Sequence, residues 1–509
     1  MALLLFLYLL FETRQQLNTI IPHDLFFRLN PLAAISAMLA SRSWMLPMAL
    51  AGITLLLTIA VGRAWCGWLC PLGTLLDWIP SRRPNRKGLD ISTYWRQGKN
   101  IVLFTILLAA AAGNLTLLFL DPITILFRTI ASTAAPIANW AVTSAQEWLY
   151  QLAALRPALE WSDRLIRGAL LSDQPFYLPG LLIALLFAGV LALNAIRPRF
   201  WCRYLCPLGA LLGLVSRIGL VRQRVNQEQC TKCFRCAVEC HTAAIKPERR
   251  FVADTAECTT CLDCMEICPA KAISFGGQRA PSLLPRYEPS RRQFLVSLGA
   301  AAAGTALLRI PSALGGAHAS LVRPPGANED QLASKCIRCG ECARVCPTGV
   351  IQPSVADWEG VWTPRMVTRL GYCDYSCNAC GQVCPTGAIA KLALADKQRA
   401  VIGIAVVDEK RCIPFAEGRE CIVCEEVCPI PEKAIKLEEK AASDSLGRAV
   451  LVRQPRVVTD LCTGCGICDY QCPVSGKSAI PIYPTGESGV GYSATLTASE
   501  KGVKHRPSG

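Results

Sequence analysis

Apolar residues are concentrated in the first 200 residues of the chain, where three long runs contain no charged residue. These runs are residues 45–62, 101–120 and 178–196. A buried helix of about 18 to 20 residues usually carries a polar face, whereas a helix that spans a membrane is apolar all round. The pattern therefore predicts three membrane-spanning helices, and the shorter apolar stretch 2–11 is interpreted as part of a fourth.

The basic residues predict an orientation for these helices. Residues 63–100 and 197–224 are rich in Arg and Lys, whereas residues 121–177 hold four Arg against five acidic residues. Because short cytoplasmic loops carry an excess of basic residues, the first two segments are predicted to face the cytoplasm and the third to face outward. The predicted location is the bacterial inner (cytoplasmic) membrane, multi-pass, with membrane lipid as a partner.

The cysteines change this picture, because all 28 of them fall into seven groups of four. Disulfides are one explanation for cysteines in an exported protein. Tight C-x2-C-x2-C runs are instead the pattern of bacterial ferredoxins, whose thiolates converge on one iron–sulfur cluster. We therefore interpret six of the seven groups as ligands of six [4Fe–4S] clusters. The predicted fold class is mixed: an α-helical membrane bundle of about four helices with ferredoxin-like α+β iron–sulfur modules on both sides.

Two of the groups follow the apolar region within residues 225–280. They have the spacing C-x2-C-x2-C-x3-C twice: Cys230, Cys233, Cys236 and Cys240, then Cys258, Cys261, Cys264 and Cys268. In two-cluster ferredoxins the fourth Cys of each run ligates the other cluster. The predicted ligand sets are therefore Cys230, Cys233 and Cys236 with Cys268, and Cys258, Cys261 and Cys264 with Cys240. A zinc site normally uses two separated pairs of cysteines and fits this spacing less well.

Four further groups lie nearer the C-terminus, and each is followed by Pro. They are Cys336, Cys339, Cys342 and Cys346; Cys373, Cys377, Cys380 and Cys384; Cys412, Cys421, Cys424 and Cys428; and Cys462, Cys465, Cys468 and Cys472. Spacing leaves open which fourth Cys crosses to which cluster. The three cysteines at 373, 377 and 380 also match the pattern of radical S-adenosylmethionine enzymes, but Cys384 can close the fourth site and no segment the size of an α/β-barrel follows.

The last four cysteines form two C-x3-C-P pairs, each at the end of an apolar run. They are Cys66, Cys70, Cys202 and Cys206. Both pairs lie on the predicted cytoplasmic face, so they can meet. Four soft thiolates favour a further metal centre, or a redox dithiol pair, over a structural disulfide. Aromatic and Arg neighbours are also typical of helix ends at a lipid surface, so the metal centre is one of two interpretations.

The order Ser290-Arg291-Arg292-Gln293-Phe294-Leu295 opens a weakly apolar run that Ala317-His318-Ala319 follows. Together these features favour a twin-arginine export signal over the basic flank of another helix. The predicted domains are a membrane domain at 1–224, a cytoplasmic two-cluster ferredoxin domain at 225–280, a linker with signal or anchor at 281–319, a periplasmic four-cluster domain at 320–485 and a flexible tail at 486–509. Residues 320–509 are therefore predicted to be periplasmic.

The net charge of +15 would normally suggest nucleic acid or a membrane surface as a partner. Oxidised four-thiolate clusters carry about −2 each, which offsets much of it, and no nucleic-acid-binding motif is present. Only four histidines occur, and no two of them lie in the apolar runs, so a bis-histidine haem is excluded.

The N-terminal 280 residues resemble the NapH-type membrane ferredoxin of periplasmic nitrate reductase systems, through the paired C-x3-C-P-L-G motifs and the double ferredoxin run. Residues 290 to about 484 resemble its exported partner, the NapG or methylamine-utilisation type, through the twin-arginine order and four cysteine groups with the odd Cys412-x8-Cys421 gap. Here the two types are joined in one chain. The resemblance implies electron transfer from quinol to a periplasmic reductase or carrier. The alternative is an assembly or maturation ferredoxin for a periplasmic metalloenzyme.

Overall fold

The computed structural model describes residues 2–15, 21–79, 93–152, 155–169, 177–277, 295–296, 298–300, 302–304, 306, 321–355, 360–443 and 447–484. The chain divides into two compact units. The first unit comprises residues 1–317, 324–365 and 376–397, and the second comprises residues 318–323, 366–375 and 398–509.

The N-terminal part of the first unit is built from helices around one apolar core. The α-helices are α1 Ala2–Gln15, α2 Leu25–Arg28, α3 Pro31–Ser41, α4 Ala51–Val61, α5 Pro71–Trp78, α6 Gly98–Ala111, α7 Pro122–Thr129, α8 Ala135–Leu149, α9 Arg156–Ala169, α10 Gly180–Ile196, α11 Phe200–Tyr204 and α12 Pro207–Val215. Single 3-10 turns lie at Leu46–Leu50, Thr93–Gln97, Thr116–Leu120 and Ser216–Ile218, and single π turns at Trp65–Leu69 and Ile130–Ala134.

Two buried caps tie these helices together. The side chain of Asn30 accepts hydrogen bonds from the amides of Leu32 and Ala33 at the start of α3, and the side chain of Asp121 caps α7 in the same way. The Asn30 side-chain amide also donates to Asp121 at 2.8 Å. Each helix begins with Pro, whose missing N–H costs nothing at that position. The caps therefore place the starts of α3 and α7 side by side in the core.

The two ends of the first ferredoxin module pair with each other in a two-stranded antiparallel sheet. Strand β1 Val221–Val225 pairs with β2 Ile273–Gly277, and the short helices α13 Arg235–Glu239 and α14 Asp263–Glu266 lie between them. The module contacts the helices directly, since the Ser216 hydroxyl donates to Thr255 O at 2.9 Å and Leu220 N donates to Ile59 O at 2.8 Å.

A second module in this unit contains α15 Glu329–Lys335, α16 Glu341–Val345, α17 Ala379–Gln382 and α18 Leu394–Arg399, with strand β3 Ile351–Pro353 paired to β4 Pro364–Met366. It contacts the opposite end of the helical region. The Tyr177 hydroxyl, just before α10, donates to Ala343 O at 2.9 Å, whereas Arg203 Nε, soon after α10 ends, donates to His241 O of the first module at 2.9 Å. The two modules therefore lie at opposite ends of α10.

The second unit is formed by short elements and a long hairpin. Strand β5 Ile404–Ala405 pairs with β8 Ile482–Tyr483, and β6 Ile435–Ser443 pairs with β7 Ala449–Val457 in a register that joins Ile435 to Val457. The helices are α19 Ile413–Ala416, α20 Val423–Glu426 and α21 Ile467–Gln471. All three are single turns next to cysteines, so apart from its strands the described part of this unit consists mostly of loops.

The prediction of a membrane bundle of about four helices was wrong. None of the helices in the described ranges is both long enough and apolar enough to cross a membrane. Run 45–62 is divided between a 3-10 turn and α4 of 11 residues, and run 101–120 is interrupted after Ala111. The longest helix, α10, has 17 residues, which at about 1.5 Å per residue is shorter than the roughly 30 Å of a bilayer's apolar layer.

The predicted multi-pass location in the bacterial inner membrane was wrong for the same reason, and the assignment of residues 225–280 to the cytoplasm and 320–509 to the periplasm loses the predicted spans on which it was built. The prediction rested on the length of the apolar runs and on their lack of charge, and neither property shows where a helix ends. The proposed twin-arginine residues 290–294, the 317–319 cleavage motif and the tail 486–509 lie outside the described residues.

Candidate iron–sulfur sites

The double ferredoxin run forms two adjacent cavities lined by cysteines. One is lined by Cys230, Cys233, Cys236 and Cys268, and the other by Cys240, Cys258, Cys261 and Cys264. Cys236 borders both cavities. The structure thus brings together the same two sets of four thiols that the spacing predicts.

The backbone of each run turns sharply around its second cysteine. Lys232 and Phe234 flank Cys233 with φ of 53° and 64°, and the residues that flank Cys261 have φ of 52° and 72°. This left-handed conformation is costly for residues other than Gly, by roughly 1–2 kcal/mol each. The strain is concentrated where three thiols must face one cavity, as is common at binding sites.

The second module of the first unit has a third cavity, lined by Cys336, Cys339, Cys342 and Cys384. Here the fourth cysteine comes from the following motif. The residue before Cys346, Val345, packs against Cys377 and Cys380 in a small apolar cluster. Cys373 belongs to the other unit.

In the second unit, Cys412, Cys421, Cys424 and Cys472 line a fourth cavity, again with the last cysteine supplied by the following motif. Helix α20, which ends two residues before Cys428, packs against α21, which contains Cys468. Cys412 thus lines the same cavity as Cys421 and Cys424, despite the long gap between Cys412 and Cys421.

Two basic side chains that sequence reasoning missed hold the cysteine loops of the second unit. The Arg369 guanidinium donates to the carbonyls of Asp469, Cys472, Val474 and Gly476 at 2.6 to 3.0 Å. The Lys433 ammonium donates to Glu425 O, Glu426 O and Cys428 O at 2.9 to 3.1 Å. Neither residue lies in a cysteine motif, so no local signal pointed to them.

Several of the candidate ligands accept backbone hydrogen bonds. Ala244 N donates to Cys240 Sγ at 3.3 Å, Ile389 N to Cys384 Sγ at 3.4 Å and Ala479 N to Cys472 Sγ at 3.4 Å. These are the crossing cysteines of three cavities. An amide that points at sulfur favours the thiolate over the thiol, so the donor set suits metal-bound sulfur.

Burial opposes ionisation of the free thiols. It raises the pKa of Cys236 and Cys258 to about 11, and the pKa of Cys264 to about 12, with neighbouring thiols adding to the effect. Metal ligation requires the thiolate, so loading of these cavities must release protons. The cavities therefore fit a positively charged iron core better than they fit free thiolates.

The two C-x3-C-P pairs also meet. Arg199 Nη1, next to the second pair, donates to Cys66 O of the first pair at 3.2 Å, and a Cβ on Gly209 would lie 2.9 Å from Arg63 Nη2 and 3.4 Å from Cys206 Sγ. Burial raises the pKa of Cys70, Cys202 and Cys206. We call this group, Cys66, Cys70, Cys202 and Cys206, the four-thiol site.

Two of the Arg neighbours, which would also be typical of helix ends at a lipid surface, lie beside these thiols. Arg63 is 1% exposed, and its Nη2 lies 4.0 Å from Cys66 Sγ. Burial alone would lower the pKa of Arg63, but Cys66, Glu257 and Cys206 raise it overall. The pKa of Arg199 is raised in the same way, against the effect of burial, by Asp77 and then by Cys202 and Cys70.

All 28 cysteines are free of disulfides, and in the described part of the chain no three His, Cys, Asp or Glu side chains are grouped as ligands of a single metal ion. The assignment of the cysteines to clusters remains a prediction that the cavities and sulfur hydrogen bonds support.

Comparison with known proteins identifies iron–sulfur relatives. A family described as "4Fe-4S binding domain" matches residues 43–88 and 179–226, and one described as "4Fe-4S dicluster domain" matches residues 335–388. The "Methylamine utilization ferredoxin-type protein MauM" of Methylorubrum extorquens is 37% identical over 211 residues, which are 40% of this chain and 92% of that protein.

Two further relatives come from Escherichia coli strain K12. The "Ferredoxin-type protein NapG" is 35% identical over 201 residues, 38% of this chain and 85% of that protein. The "Putative electron transport protein YccM" is 42% identical over 80 residues, 16% of this chain and 22% of that protein. No solved structure matches the chain. The prediction of a 4Fe-4S ferredoxin-type protein is confirmed, while the number of six clusters remains a prediction.

Proposed function

Because this chain belongs to the family of ferredoxin-type proteins that includes MauM and NapG, we propose that it passes electrons from a quinol to a redox partner protein through six [4Fe–4S] clusters. The observation that carries the proposal is the recurrence of one arrangement in four cavities. Each is lined by three cysteines of one motif and the fourth cysteine of a neighbouring motif, and Cys236 borders two of the cavities.

Four ligand sets follow from those cavities: Cys230, Cys233, Cys236 and Cys268; Cys240, Cys258, Cys261 and Cys264; Cys336, Cys339, Cys342 and Cys384; Cys412, Cys421, Cys424 and Cys472. By the same reciprocal pattern, Cys428 is proposed to join Cys462, Cys465 and Cys468. A bound cluster supplies one-electron chemistry at a potential that the surrounding protein sets between about −700 and +450 mV.

The protein's own groups hold and tune these sites. The amides at Ala244, Ile389 and Ala479 direct N–H groups at sulfur, and Arg369 and Lys433 fix the loops of the second unit. Hydrogen bonds to sulfur and nearby positive charge both favour the reduced form. The residues therefore support the transfer of electrons rather than the conversion of a substrate.

The test begins with anaerobic purification of the whole chain and measurement of iron and acid-labile sulfide. Six clusters predict about 24 of each per chain. The protein is then mixed with a reduced quinol analogue while the visible absorbance and EPR signals are followed. Reduction of the clusters supports the proposal. If all clusters are present but no quinol reduces them at any potential, the quinol must be dropped from the proposal.

Deletion of the gene separates electron transfer from the assembly alternative. Loss of an electron donor leaves a partner enzyme that is fully loaded with cofactor and active with an artificial reductant. Loss of a maturation factor leaves a partner enzyme that lacks cofactor. We expect the first result.

The proposal includes two more specific features that the resemblance implies, a NapH-type N-terminal part and a twin-arginine signal. The paired C-x3-C-P motifs and the double ferredoxin run support a NapH-type N-terminal part fused to the NapG-type part. The Ser290–Leu295 order supports a twin-arginine signal. Replacement of Arg291 and Arg292 by Lys should stop transport of a reporter fused after residue 319, and unchanged transport would contradict the signal.

A further inference from the structure

The two loops of the four-thiol site are copies of one motif. Arg-x-Trp-Cys-x3-Cys-Pro-Leu-Gly occurs at residues 63–73 and again at residues 199–209. Both copies close with the same backbone hydrogen bond, from Cys70 N to Trp65 O at 2.8 Å and from Cys206 N to Trp201 O at 2.9 Å. In both, the second cysteine caps a helix that begins at the following Pro. The fold therefore builds each half of the site in the same way.

The glycine that ends each motif lets the chain approach the thiols closely. A Cβ on Gly209 would lie 2.9 Å from Arg63 Nη2 and 3.4 Å from Cys206 Sγ, and one on Gly73 would lie 3.2 Å from Cys66 O. Gly209 N also donates to Cys206 Sγ at 3.2 Å. Helix starts that direct amides at sulfur favour negative charge there.

Each arginine of the motif interacts with one thiol from each loop. Arg63 is influenced by Cys66 of its own loop and by Cys206 of the other. Arg199 is influenced by Cys202 of its own loop and by Cys70 of the other. Arg63 and Arg199 also pair with the carboxylates of Glu257 and Asp77. The two guanidinium groups therefore favour negative charge on the nearby sulfur atoms.

Matching donors on the residues that precede the first cysteine of each loop also lack acceptors. The indole nitrogens of Trp65 and Trp201 are buried and have no hydrogen-bond partner among the described residues, and the same holds for Arg63 Nε. Trp65 and Trp201 each precede the first cysteine of a loop. A buried donor without a partner is costly, and two in equivalent positions indicate an acceptor that belongs to the site.

We propose that the two loops together bind one iron–sulfur centre through Cys66, Cys70, Cys202 and Cys206, in addition to the six clusters of the ferredoxin motifs. The matched segments 43–88 and 179–226 hold two cysteines each, so neither supplies four ligands by itself. The structure supplies the missing half by joining them. The two arginines stabilise the negative charge that the thiolates and sulfide of such a centre carry.

The four-thiol site is also joined to one particular ferredoxin cavity, the one lined by Cys240, Cys258, Cys261 and Cys264. The Trp68 indole donates to Thr260 O at 2.9 Å, and Arg63 Nη1 donates to Ala256 O at 2.6 Å. From the other loop, Arg203 Nε donates to His241 O at 2.9 Å. Both loops therefore contact segments that carry the ligands of this cavity.

These contacts make the four-thiol site a relay for the proposed electron-transfer function, on which this part of the inference rests. One electron passed between the two sites oxidises one centre and reduces the other, and no bond is made or broken. Arg63 and Arg203 act as positioning residues, because they hold the loops against the cavity.

The test compares the whole chain with the double variant Cys66→Ser/Cys202→Ser, both purified anaerobically. We expect the variant to lose about four iron and four sulfide per chain and to keep the EPR signals of the other clusters. Cys233→Ser is the matched control, which should lose a similar amount of iron but a different signal. Loss of one zinc, or loss of thiols with unchanged iron, would overturn the proposal.

The unmodified protein provides a second measurement in case the double variant fails to fold. Six clusters predict about 24 iron atoms and seven predict about 28. A count near 28 supports the additional centre, and a count near 24 in fully loaded protein contradicts it. Neither count depends on a quinol or a partner, so failure here is distinct from failure of the proposed function.

Arg63 provides a test of the relay. Arg63→Met should lower the midpoint potential of the centre in the four-thiol site, because removal of a positive charge disfavours the reduced state, and Arg63→Lys should restore much of it. The signal assigned to Cys230, Cys233 and Cys236 should not move. Unchanged potentials in both variants would contradict the role given to Arg63.

Discussion

The four-thiol site and the ferredoxin cavities gather the same number of thiols by different means. In the ferredoxin runs, short loops in left-handed conformations turn three cysteines toward a cavity, and Cys233 is exposed. In the four-thiol site, two helix ends meet, Cys70 and Cys206 are buried, and two arginines lie beside them. The first design depends on local backbone geometry, and the second depends on contacts between segments far apart in the chain.

The two kinds of site also differ in the groups that stabilise charge around the thiols. Backbone amides donate to the sulfur atoms of the crossing cysteines in three of the ferredoxin cavities. Arg63, Lys99 and Glu257 form a buried ionic group near the four-thiol site, with Lys99 Nζ at 2.7 Å from Glu257 and Arg63 Nη1 at 3.7 Å. The buried design should therefore be far more sensitive to loss of one charge.

The largest effect is expected from Glu257→Gln. Removal of this carboxylate leaves Lys99 and Arg63 buried with less negative charge and should destabilise the fold by about 3–5 kcal/mol. The measurement is the urea midpoint of unfolding, followed by circular dichroism under anaerobic conditions. Glu420→Gln, which removes an exposed partner of Arg453, is the control and should change stability by no more than about 1 kcal/mol. Equal effects would remove the distinction between the two regions.

Arg369→Met should have the next largest effect, confined to the second unit. Four hydrogen bonds to carbonyls around Cys472 are lost, and the part-buried carbonyls among them recover only some hydration, so a cost of about 2–3 kcal/mol is expected. The readout is faster release of iron to a chelator. Arg419→Met, which removes an exposed pair with Glu417, serves as the control, and equally fast release from both variants would argue against the clamp.

Gly67→Ala tests the contact between the four-thiol site and the ferredoxin module. The new Cβ would overlap the backbone carbonyl of Thr259, which cannot move aside as a side chain could, so a cost of about 1–3 kcal/mol is expected. Gly52→Ala meets nothing within 4 Å and lies in a helix, so it should be neutral or slightly stabilising. Urea midpoints of the two variants measure the difference, and similar midpoints would mean that the loops do not touch in solution.

The smallest effect should have the opposite sign. Lys232→Gly relieves a left-handed conformation, with φ of 53°, on the exposed ferredoxin loop and should stabilise the protein by about 1 kcal/mol. Lys246→Gly, at φ of −114°, should instead destabilise by about 0.5–1 kcal/mol. Thermal melts under anaerobic conditions compare them, and a loss of stability in the first variant would show that the loop relaxes when a cluster binds.

The sequence-based prediction failed where it relied on the length of apolar runs. Residues 45–62 contain Pro47, and the chain there forms a 3-10 turn before α4 begins. In 101–120, Gly113 adopts φ of 83° and separates α6 from the next turn. A hydropathy pattern records which residues avoid water, but it does not record where the helix stops.

The sequence by itself determined the iron–sulfur chemistry and the shape of each cysteine loop. Those properties depend on thiols two or three residues apart, and such short segments have few ways to surround a cluster. Only the tertiary structure decided that Cys384 joins the set of Cys336 and that Cys472 joins the set of Cys412. It also brought Cys66 and Cys202 together with Arg63 and Arg199, because contacts between distant segments depend on how the helices pack and not on spacing along the chain.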